Sequence, residues 1–177
     1  MESKIRDLRQ EIFKFEQISN FNKNDFFVSE CNYFAFNLIK SWPHWEKKIL
    51  NIYGERKSGK SHLSEIFLKD KKGIKFKFKE LNKKIFDKIT PYENIVIEDF
   101  NERCDEEAIY SLIDLVEKEN KYLLITSVRA VNEMETKLKD LNSRFKNILT
   151  SKIEKPDDEL VYALIVKNFS DSQITVS

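Results

Sequence analysis

The stretch Gly54-Glu55-Arg56-Lys57-Ser58-Gly59-Lys60-Ser61 decides the fold of this 177-residue chain. It matches the pattern G-x-x-x-x-G-K-[ST], in which a loop turns successive backbone N–H groups toward phosphate oxygens. The motif requires a strand before it and a helix after it, which the apolar run 48–53 (KILNIY) and the helical pattern 60–68 supply. The chain has only three glycines, and Gly54 and Gly59 are two of them. Because side chains at these two positions would block the approach of phosphate, the sequence predicts a phosphate-binding loop.

Each residue type in this loop has a role in nucleotide binding. Lys60 supplies a cation for the β- and γ-phosphates, and the Ser61 hydroxyl is a hard oxygen ligand for Mg²⁺. The N-terminus of the following helix adds partial positive charge. The predicted nucleotide-binding residues are therefore the eight residues of the loop together with His62, and the predicted cofactors are ATP or ADP with Mg²⁺.

A pair of carboxylates ends the apolar strand pattern at 94–99 (NIVIED). Glu98 and Asp99 are predicted to serve the Mg²⁺ site, one through water, while the other positions or deprotonates the attacking water. Such pairs usually run Asp then Glu, and here the order is reversed. Either the two roles are exchanged, with Asp99 as the catalytic carboxylate, or the frame slips and Phe100 takes the catalytic position. Both alternatives leave a shortened or absent base, which predicts weak or no intrinsic hydrolysis.

Strand and helix patterns alternate along the rest of the chain. The predicted strands are 48–53, 74–78, 95–97, 122–126 and 148–153, and the predicted helices are 29–42, 60–68, 81–89, 105–116, short pieces within 131–145, and a last helix from Pro156. Two strands are wholly apolar, which is typical of strands buried on both faces of a parallel sheet. The alternation predicts a three-layer α/β core with a parallel five-stranded sheet.

Four local expectations follow from the same patterns. Ser29 is expected to cap the first helix, whose apolar face includes Phe34, and residues 81–89 are expected to form one helix ended by a proline. Asp105 is expected to cap the helix that follows the acidic strand. The inward side chains expected for the last helix are Leu160, Val161, Leu164 and Ile165.

Composition excludes several classes of protein. The chain carries 31 basic and 30 acidic residues, and this balance argues against a protein that coats DNA through excess positive charge. Hydrophobic residues make up 41% of the chain, enough to build a core, but no apolar run approaches the roughly 20 residues of a membrane span. The first ten residues do not read as a signal peptide, and Cys31 and Cys104 lack the spacing of a zinc site. We therefore expect a cytoplasmic protein with no membrane partner.

Several short stretches resemble those of the DnaA/Hda-like AAA+ ATPase family, and among them most closely the Hda-type regulators. The matching stretches are 59–63 (GKSHL), 125–129 (ITSVR), 141–145 (LNSRF), 25–28 (DFFV) with Asn32, and 39–43 (IKSWP). Together they cover about residues 10–170. The resemblance implies an N-terminal arm at 1–28, an AAA+ nucleotide-binding core at 29–155, and the first helix of an incomplete helical lid at 156–177.

The resemblance also implies roles for individual residues. Thr126 and Ser127 would sense the γ-phosphate, and Arg144 would act as an arginine finger in trans on a neighbouring subunit's nucleotide. Within the arm, residues 10–15 (QEIFKF) resemble a clamp-binding peptide, with Gln10, Phe13 and Phe15 as its anchors. Two alternatives stay open: Arg144 is an ordinary salt-bridged arginine, or the two phenylalanines dock the arm on this chain's own core.

The implied function is regulation of chromosome replication initiation. In that reading the chain joins the DnaA initiator to the DNA polymerase sliding clamp, meets DNA only through the clamp, and promotes hydrolysis of DnaA-bound ATP. One alternative is a self-hydrolysing AAA+ ATPase of helicase-loader type. The other is a lid-less, nucleotide-dependent module that contacts DNA through the Lys-rich stretch 69–79. A homo-oligomer is left open as well.

Overall fold

A parallel β-sheet forms the centre of the computed structural model, which describes residues 26–69, 71–82, 84–103 and 105–171. Its strands are β1 (Ile49–Tyr53), β2 (Gly73–Lys77), β3 (Asn94–Phe100), β4 (Tyr122–Ser127) and β5 (Leu149–Lys152). Their order across the sheet is β2-β3-β4-β1-β5, and every neighbouring pair is parallel. The helices are α1 (Tyr33–Ser41), α2 (Lys60–Leu68), α3 (Ile85–Ile89), α4 (Glu106–Lys118), α5 (Lys139–Lys146) and α6 (Asp158–Asp171). The predicted α/β fold class is confirmed.

Two hydrophobic cores cover the two faces of this sheet. Side chains of α1 and α2 pack on one face, against Val96 of β3 and Leu124 of β4. Side chains of α3, α4 and α5 pack on the other, where the neighbouring strand positions Ile95 and Leu123 point. Because successive residues of a strand point to opposite faces, only strands that are apolar throughout can fill both cores. This is why β3 and β4, which contribute to both cores, contain wholly apolar stretches.

The edge strand β2 has the alternating pattern that one covered face requires. Phe76 is buried, while Lys75 and Lys77 on either side of it are exposed. The helix α4 also begins as expected, because the Asp105 side chain accepts a hydrogen bond from the backbone N–H of Ala108 at 3.1 Å. Within the described residues, no helix is both long and apolar enough to cross a membrane.

The expected start of the first helix is wrong. Helix α1 begins at Tyr33 with Asn32 in the N-cap position, and the residues before it form a turn. In that turn the backbone N–H of Ser29 donates to Oδ1 of Asn32 at 3.2 Å, which draws Ser29 into the turn and away from a cap. The later start also changes which residues face the core, and Phe34 is 74% exposed rather than inward.

Residues 81–89 do not form a single helix. The 3₁₀ turn Phe78–Glu80 comes first, and α3 covers only Ile85–Ile89. Between them the Asn82 side chain accepts a hydrogen bond from the backbone N–H of Lys84 at 2.9 Å. Such local side-chain bonds compete with helical pairing, which explains the late start of α3.

The last helix also differs from its expected packing. Asp157 caps it, since its Oδ1 accepts the backbone N–H of Leu160 at 2.8 Å, and Leu160 is half-buried. Val161, Leu164 and Ile165 were expected to point inward, but each is more than 40% exposed. Apolar residues occur on several sides of α6. Only one side of the helix can pack against the rest of the described chain, so the others stay exposed.

A buried asparagine connects β1 to its neighbours. Asn51 has no exposed surface. Its Nδ2 donates to the Ile125 carbonyl at 3.1 Å and to Oγ of Ser127 at 2.9 Å. Its Oδ1 accepts from the backbone N–H of Val131 at 3.0 Å, which ties the turn after β4 to the sheet.

Replacing Asn51 with the similarly sized leucine should lower the free energy of unfolding by about 2 kcal/mol, because the buried Val131 N–H loses its partner. Urea denaturation of the full chain measures this loss. Asn132→Leu is the matched control, because Asn132 is exposed in the turn that begins at Val131. Equal stability of the two variants would contradict the role assigned to Asn51.

Candidate functional site

The loop between β1 and α2 is closed by two glycines that other residues could not replace without strain. The backbone N–H of Gly54 donates to the Ser127 carbonyl at 3.2 Å. A Cβ at Gly54 would lie 2.7 Å from the Ile153 carbonyl oxygen, closer than real contacts allow. Gly59, at the N-cap of α2, has φ 94°, in the left-handed region that side chains disfavour. The loop is therefore tight at both of the positions where the sequence motif has glycine.

Lys60 lies across this loop. Its Nζ donates to the carbonyls of Gly54 and Glu55, at 2.9 and 2.6 Å, and to Oγ of Ser58 at 3.2 Å. Burial lowers the pKa of Lys60 from its usual value, and the negative charge of Asp99 acts in the opposite direction. The ammonium group is therefore held by the loop itself and feels the negative charge of Asp99.

The first turn of α2 presents its end to the same loop. Ser61 is exposed, and His62 is half-buried with its ring edge-to-face against Phe26, at 5.1 Å between ring centroids. The first backbone N–H groups of a helix have no partner within the helix. Together with the helix dipole, these groups give the loop and this turn a positive potential, which favours an anion.

A cavity of about 390 Å³ opens beside the loop. The lining residues are Phe26, Phe27, Cys31, Asn32, Glu55, Arg56, Lys57, Ser58, Gly59, His62, Ile153, Glu154, Lys155, Pro156, Leu160 and Leu164. Its apolar walls are the Phe26 ring, stacked on Phe36 at 5.6 Å, and the α6 side chains Leu160 and Leu164. Cavities of this size with apolar walls and a few polar groups hold small molecules. Sequence reasoning assigned no ligand contact to these wall residues, because apolar side chains carry no motif.

The two carboxylates at the end of β3 have different surroundings. The Glu98 side chain is only 10% exposed, its Oε2 lies 3.8 Å from Nζ of Lys75, and its Oε1 has no hydrogen-bond partner among the described residues. Asp99 is exposed and has φ 60°, at a register shift between β3 and β4. Its backbone N–H donates to Oγ1 of Thr126 at 3.4 Å.

Phe100 is part of a hydrophobic core and has no polar group to offer the site. Its ring is buried in the core on the α4 side of the sheet, 4.7 Å from the ring of Phe78 and 6.0 Å from that of Phe145. The frame-slip alternative, which leaves no base at this position, and the exchanged-role alternative both stay predictions. The negative charge of Asp99 acts on the pKa of Lys60, whereas Glu98 pairs with Lys75.

Thr126 and Ser127 end the strand that lies between β3 and β1. Both are buried, and they are in register with Ile52 and Tyr53, immediately before the loop. The Ser127 hydroxyl donates to the Arg129 carbonyl at 2.6 Å and accepts from Asn51. The two hydroxyls therefore lie at the same edge of the sheet as the loop, but that of Ser127 already has two partners.

Arg144 lies on α5, on the opposite side of the sheet from α2. Its guanidinium contacts the carboxylate of Glu117, lies 3.4 Å from that of Asp114, and stacks 4.6 Å from the ring centroid of Tyr110. The side chain is 23% exposed. Arg144 is thus salt-bridged within the chain, and it is separated by the sheet from α2. Its role as an arginine finger in trans stays a prediction.

The residues present fit a nucleotide with its metal ion. A Cβ at Gly54 would meet the Ile153 carbonyl oxygen at 2.7 Å, and Oε1 of Glu98 is buried with no hydrogen-bond partner among the described residues. No group of three or more metal-binding side chains occurs among the described residues. Mg²⁺ beside a nucleotide is commonly held by one or two side chains together with phosphate oxygens and water. Gln10, Phe13 and Phe15, the predicted clamp-binding residues, lie outside the described residues.

Comparison with known proteins identifies the fold. No protein-family model and no curated protein matches the chain. Among solved structures, AMPPCP-bound DnaA from Aquifex aeolicus superposes with a TM-score of 0.68 at 15% identity, over 86% of this chain and 55% of that chain. Domain III of the Thermotoga maritima replication initiation protein DnaA superposes with a TM-score of 0.67 at 18% identity, over 89% of this chain and 76% of that chain.

DnaI gives a TM-score of 0.52 at 15% identity, over 70% of this chain and 79% of that chain. This chain thus spans little more than half the length of the A. aeolicus DnaA chain. The five-stranded parallel sheet with its flanking helices is shared by these replication proteins. The chain has the α/β fold of the AAA+ P-loop NTPases.

Proposed function

We propose that this chain is a nucleotide-binding AAA+ regulator of replication initiation, which promotes hydrolysis of DnaA-bound ATP together with the sliding clamp. The observation that carries the nucleotide-binding part is the loop closed at Gly54 and Gly59 around the Lys60 ammonium. The fold likeness to DnaA supports the connection with replication.

The loop offers the groups that a nucleoside triphosphate needs. Backbone N–H groups and the α2 N-terminus bind phosphate oxygens. Nζ of Lys60 leaves the carbonyls of Gly54 and Glu55 and donates to phosphate oxygens instead. Beside the loop, the Phe26 ring and the α6 leucines offer apolar surfaces to a purine base. Mg²⁺, when bound, neutralises phosphate charge, and Ser61 and Glu98 are the side chains that hold it.

Arg144 supports action on a partner's nucleotide more than on this chain's own. It lies across the sheet from α2, so within one chain the two sites are separated by the sheet. A guanidinium supplied from a second molecule stabilises charge that develops on the γ-phosphate. For this role Arg144 must leave Glu117 and Asp114, which now hold it.

The second candidate is a self-hydrolysing ATPase of helicase-loader type. Two observations favour it: the negative charge of Asp99 raises the pKa of Lys60, and the fold is also that of DnaI. In this candidate Asp99 positions the attacking water. The two candidates differ in whose nucleotide is hydrolysed, so turnover by the isolated chain separates them.

Replacing Lys60 with alanine should weaken binding of a fluorescent ATP analogue by roughly 10- to 100-fold, because one charge-assisted contact to phosphate is lost. Fluorescence titration of the full chain measures the dissociation constant. Lys72→Ala is the control, since it removes an exposed lysine outside the loop. Equal affinity of the Lys60→Ala variant and its parent would refute nucleotide binding in this loop.

Replacing Arg144 with alanine should abolish stimulation of DnaA ATP turnover in the presence of DNA-loaded clamp, a loss of roughly a thousandfold in the stimulated rate. Nucleotide binding by the chain itself should stay unchanged, because Arg144 lies on the other side of the sheet. Phosphate release by DnaA measures the first quantity, and the titration above measures the second.

Glu117→Gln is the matched control for Arg144, because it removes a carboxylate that holds the guanidinium and leaves the guanidinium itself. It should stimulate at least as well as the parent. Stimulation by Arg144→Ala at the parental level would exclude the trans role. Turnover by the isolated chain that disappears in Asp99→Asn would favour the second candidate instead.

Replacing Phe13 and Phe15 together with alanine should eliminate co-elution with the sliding clamp, because the two rings are the proposed pocket anchors. Size-exclusion chromatography of the mixture measures co-elution. Phe21→Ala removes a phenylalanine outside residues 10–15 and tests whether co-elution depends on Phe13 and Phe15 or on any aromatic residue of the arm. Co-elution that survives the double substitution would remove residues 10–15 from the proposed function.

A further inference from the structure

A lysine on the edge strand reaches the buried carboxylate at the end of β3. Nζ of Lys75, on β2, lies 3.8 Å from Oε2 of Glu98 and also contacts the carboxylate of Glu65 on α2. The Lys75 side chain is 30% exposed, whereas that of Glu98 is 10% exposed. Glu98 thus has a protein cation on one oxygen and no hydrogen-bond partner, among the described residues, on the other.

The strand register explains why Lys75 reaches this position. Lys75 pairs with Val96 across β2 and β3, so its side chain points to the face that α2 covers. Glu98 lies two residues after Val96 and points to the same face. Glu65, one turn into α2, is a second carboxylate that contacts this ammonium and shares it with Glu98. The motif residues Lys60 and Ser61 play no part in this contact.

We propose that Lys75 is a built-in counter-cation of Glu98, which competes with a divalent cation for this carboxylate. The inference rests on the proposed nucleotide binding, since the divalent cation in question accompanies the nucleotide. Lys75 is a positioning residue here, because it acts on the metal site only through Glu98. Because of Lys75, Mg²⁺ promotes nucleotide binding only at a higher concentration than it would if Glu98 had no counter-cation.

The physical basis is that one buried carboxylate cannot attract two cations independently. A buried anion without a counter-charge is unfavourable, and Lys75 reduces that penalty when no metal ion is present. The same ammonium repels an arriving Mg²⁺. Coupling of this kind is reciprocal, so binding of the metal ion must weaken the Lys75–Glu98 contact by the same factor.

The Mg²⁺ dependence of nucleotide binding tests this coupling. A fixed concentration of fluorescent ATP analogue is titrated with Mg²⁺, and binding in EDTA is measured for the same proteins. Lys75→Met should lower the Mg²⁺ concentration at half-effect by roughly tenfold, while affinity in EDTA changes little. Lys75→Arg keeps the charge and should retain the parental midpoint. Complexation of Mg²⁺ by free nucleotide is the same for every protein and cancels in the comparison.

Two further variants sharpen the test. Glu65→Gln removes the other partner of Lys75 and leaves its ammonium to Glu98 alone, so the Mg²⁺ midpoint should rise. Lys79→Met removes an exposed lysine of the following 3₁₀ turn, which has no ion pair among the described residues, and the midpoint should not change. Equal midpoints for Lys75→Met and the parent would overturn the inference. Absence of nucleotide binding in every protein would instead overturn the proposed function.

Chemical labelling of the parent chain tests the reciprocal effect without any substitution. Acetylation of Lys75, followed by mass spectrometry, should increase several-fold when Mg²⁺ and ATP are added together. ATP with EDTA should leave the labelling unchanged, and Lys79 serves as the internal reference. Lys75 labelling that does not respond to Mg²⁺ in the presence of bound nucleotide would overturn the inference, even if a substituted chain failed to fold.

Discussion

The backbone at Gly54 approaches the Ile153 carbonyl so closely that no Cβ fits between them, and the N–H of Gly54 bonds to the Ser127 carbonyl. This seam joins the ends of β1, β4 and the segment after β5, since Ile153 in turn donates to the Tyr53 carbonyl at 2.8 Å. The phosphate loop, the hydroxyls at the end of β4 and one wall of the cavity all begin at this seam. Their relative positions therefore depend on one close backbone contact that only glycine permits.

Several buried polar residues, Asn51, Glu98, Thr126 and Ser127, lie in the strands toward the same edge of the sheet. The side chains of Asn51 and Ser127 are hydrogen-bonded to each other and to backbone groups, so they stabilise the strand ends. Glu98 differs, because one of its oxygens has no partner among the described residues and the other has only Lys75. Glu98 is therefore the carboxylate at this edge whose hydrogen-bonding capacity the described residues leave open.

Two further parts of the surface are formed by Arg144 and by the helix α6. Arg144 is held by Asp114, Glu117 and Tyr110 on α4, so its charge is neutralised within the chain. The helix α6 has exposed apolar residues on several sides, and two of its leucines also line the cavity. A ligand in the cavity and a partner on α6 would therefore contact the same helix.

Local sequence patterns determined the strands, their burial on one or both faces, the loop, and the Asp105 cap, because each depends on the spacing of neighbouring residues. They did not determine the start of α1, where Asn32 competes with Ser29, nor the orientation of α6, whose apolar residues surround the helix. Only the tertiary structure decided the partners of Asn51, Glu98 and Arg144. Those partners lie on other elements, and strand register and helix packing bring them together. Spacing along the chain specifies which residue types are present at a site, but the charge each one meets is set by residues far away in sequence.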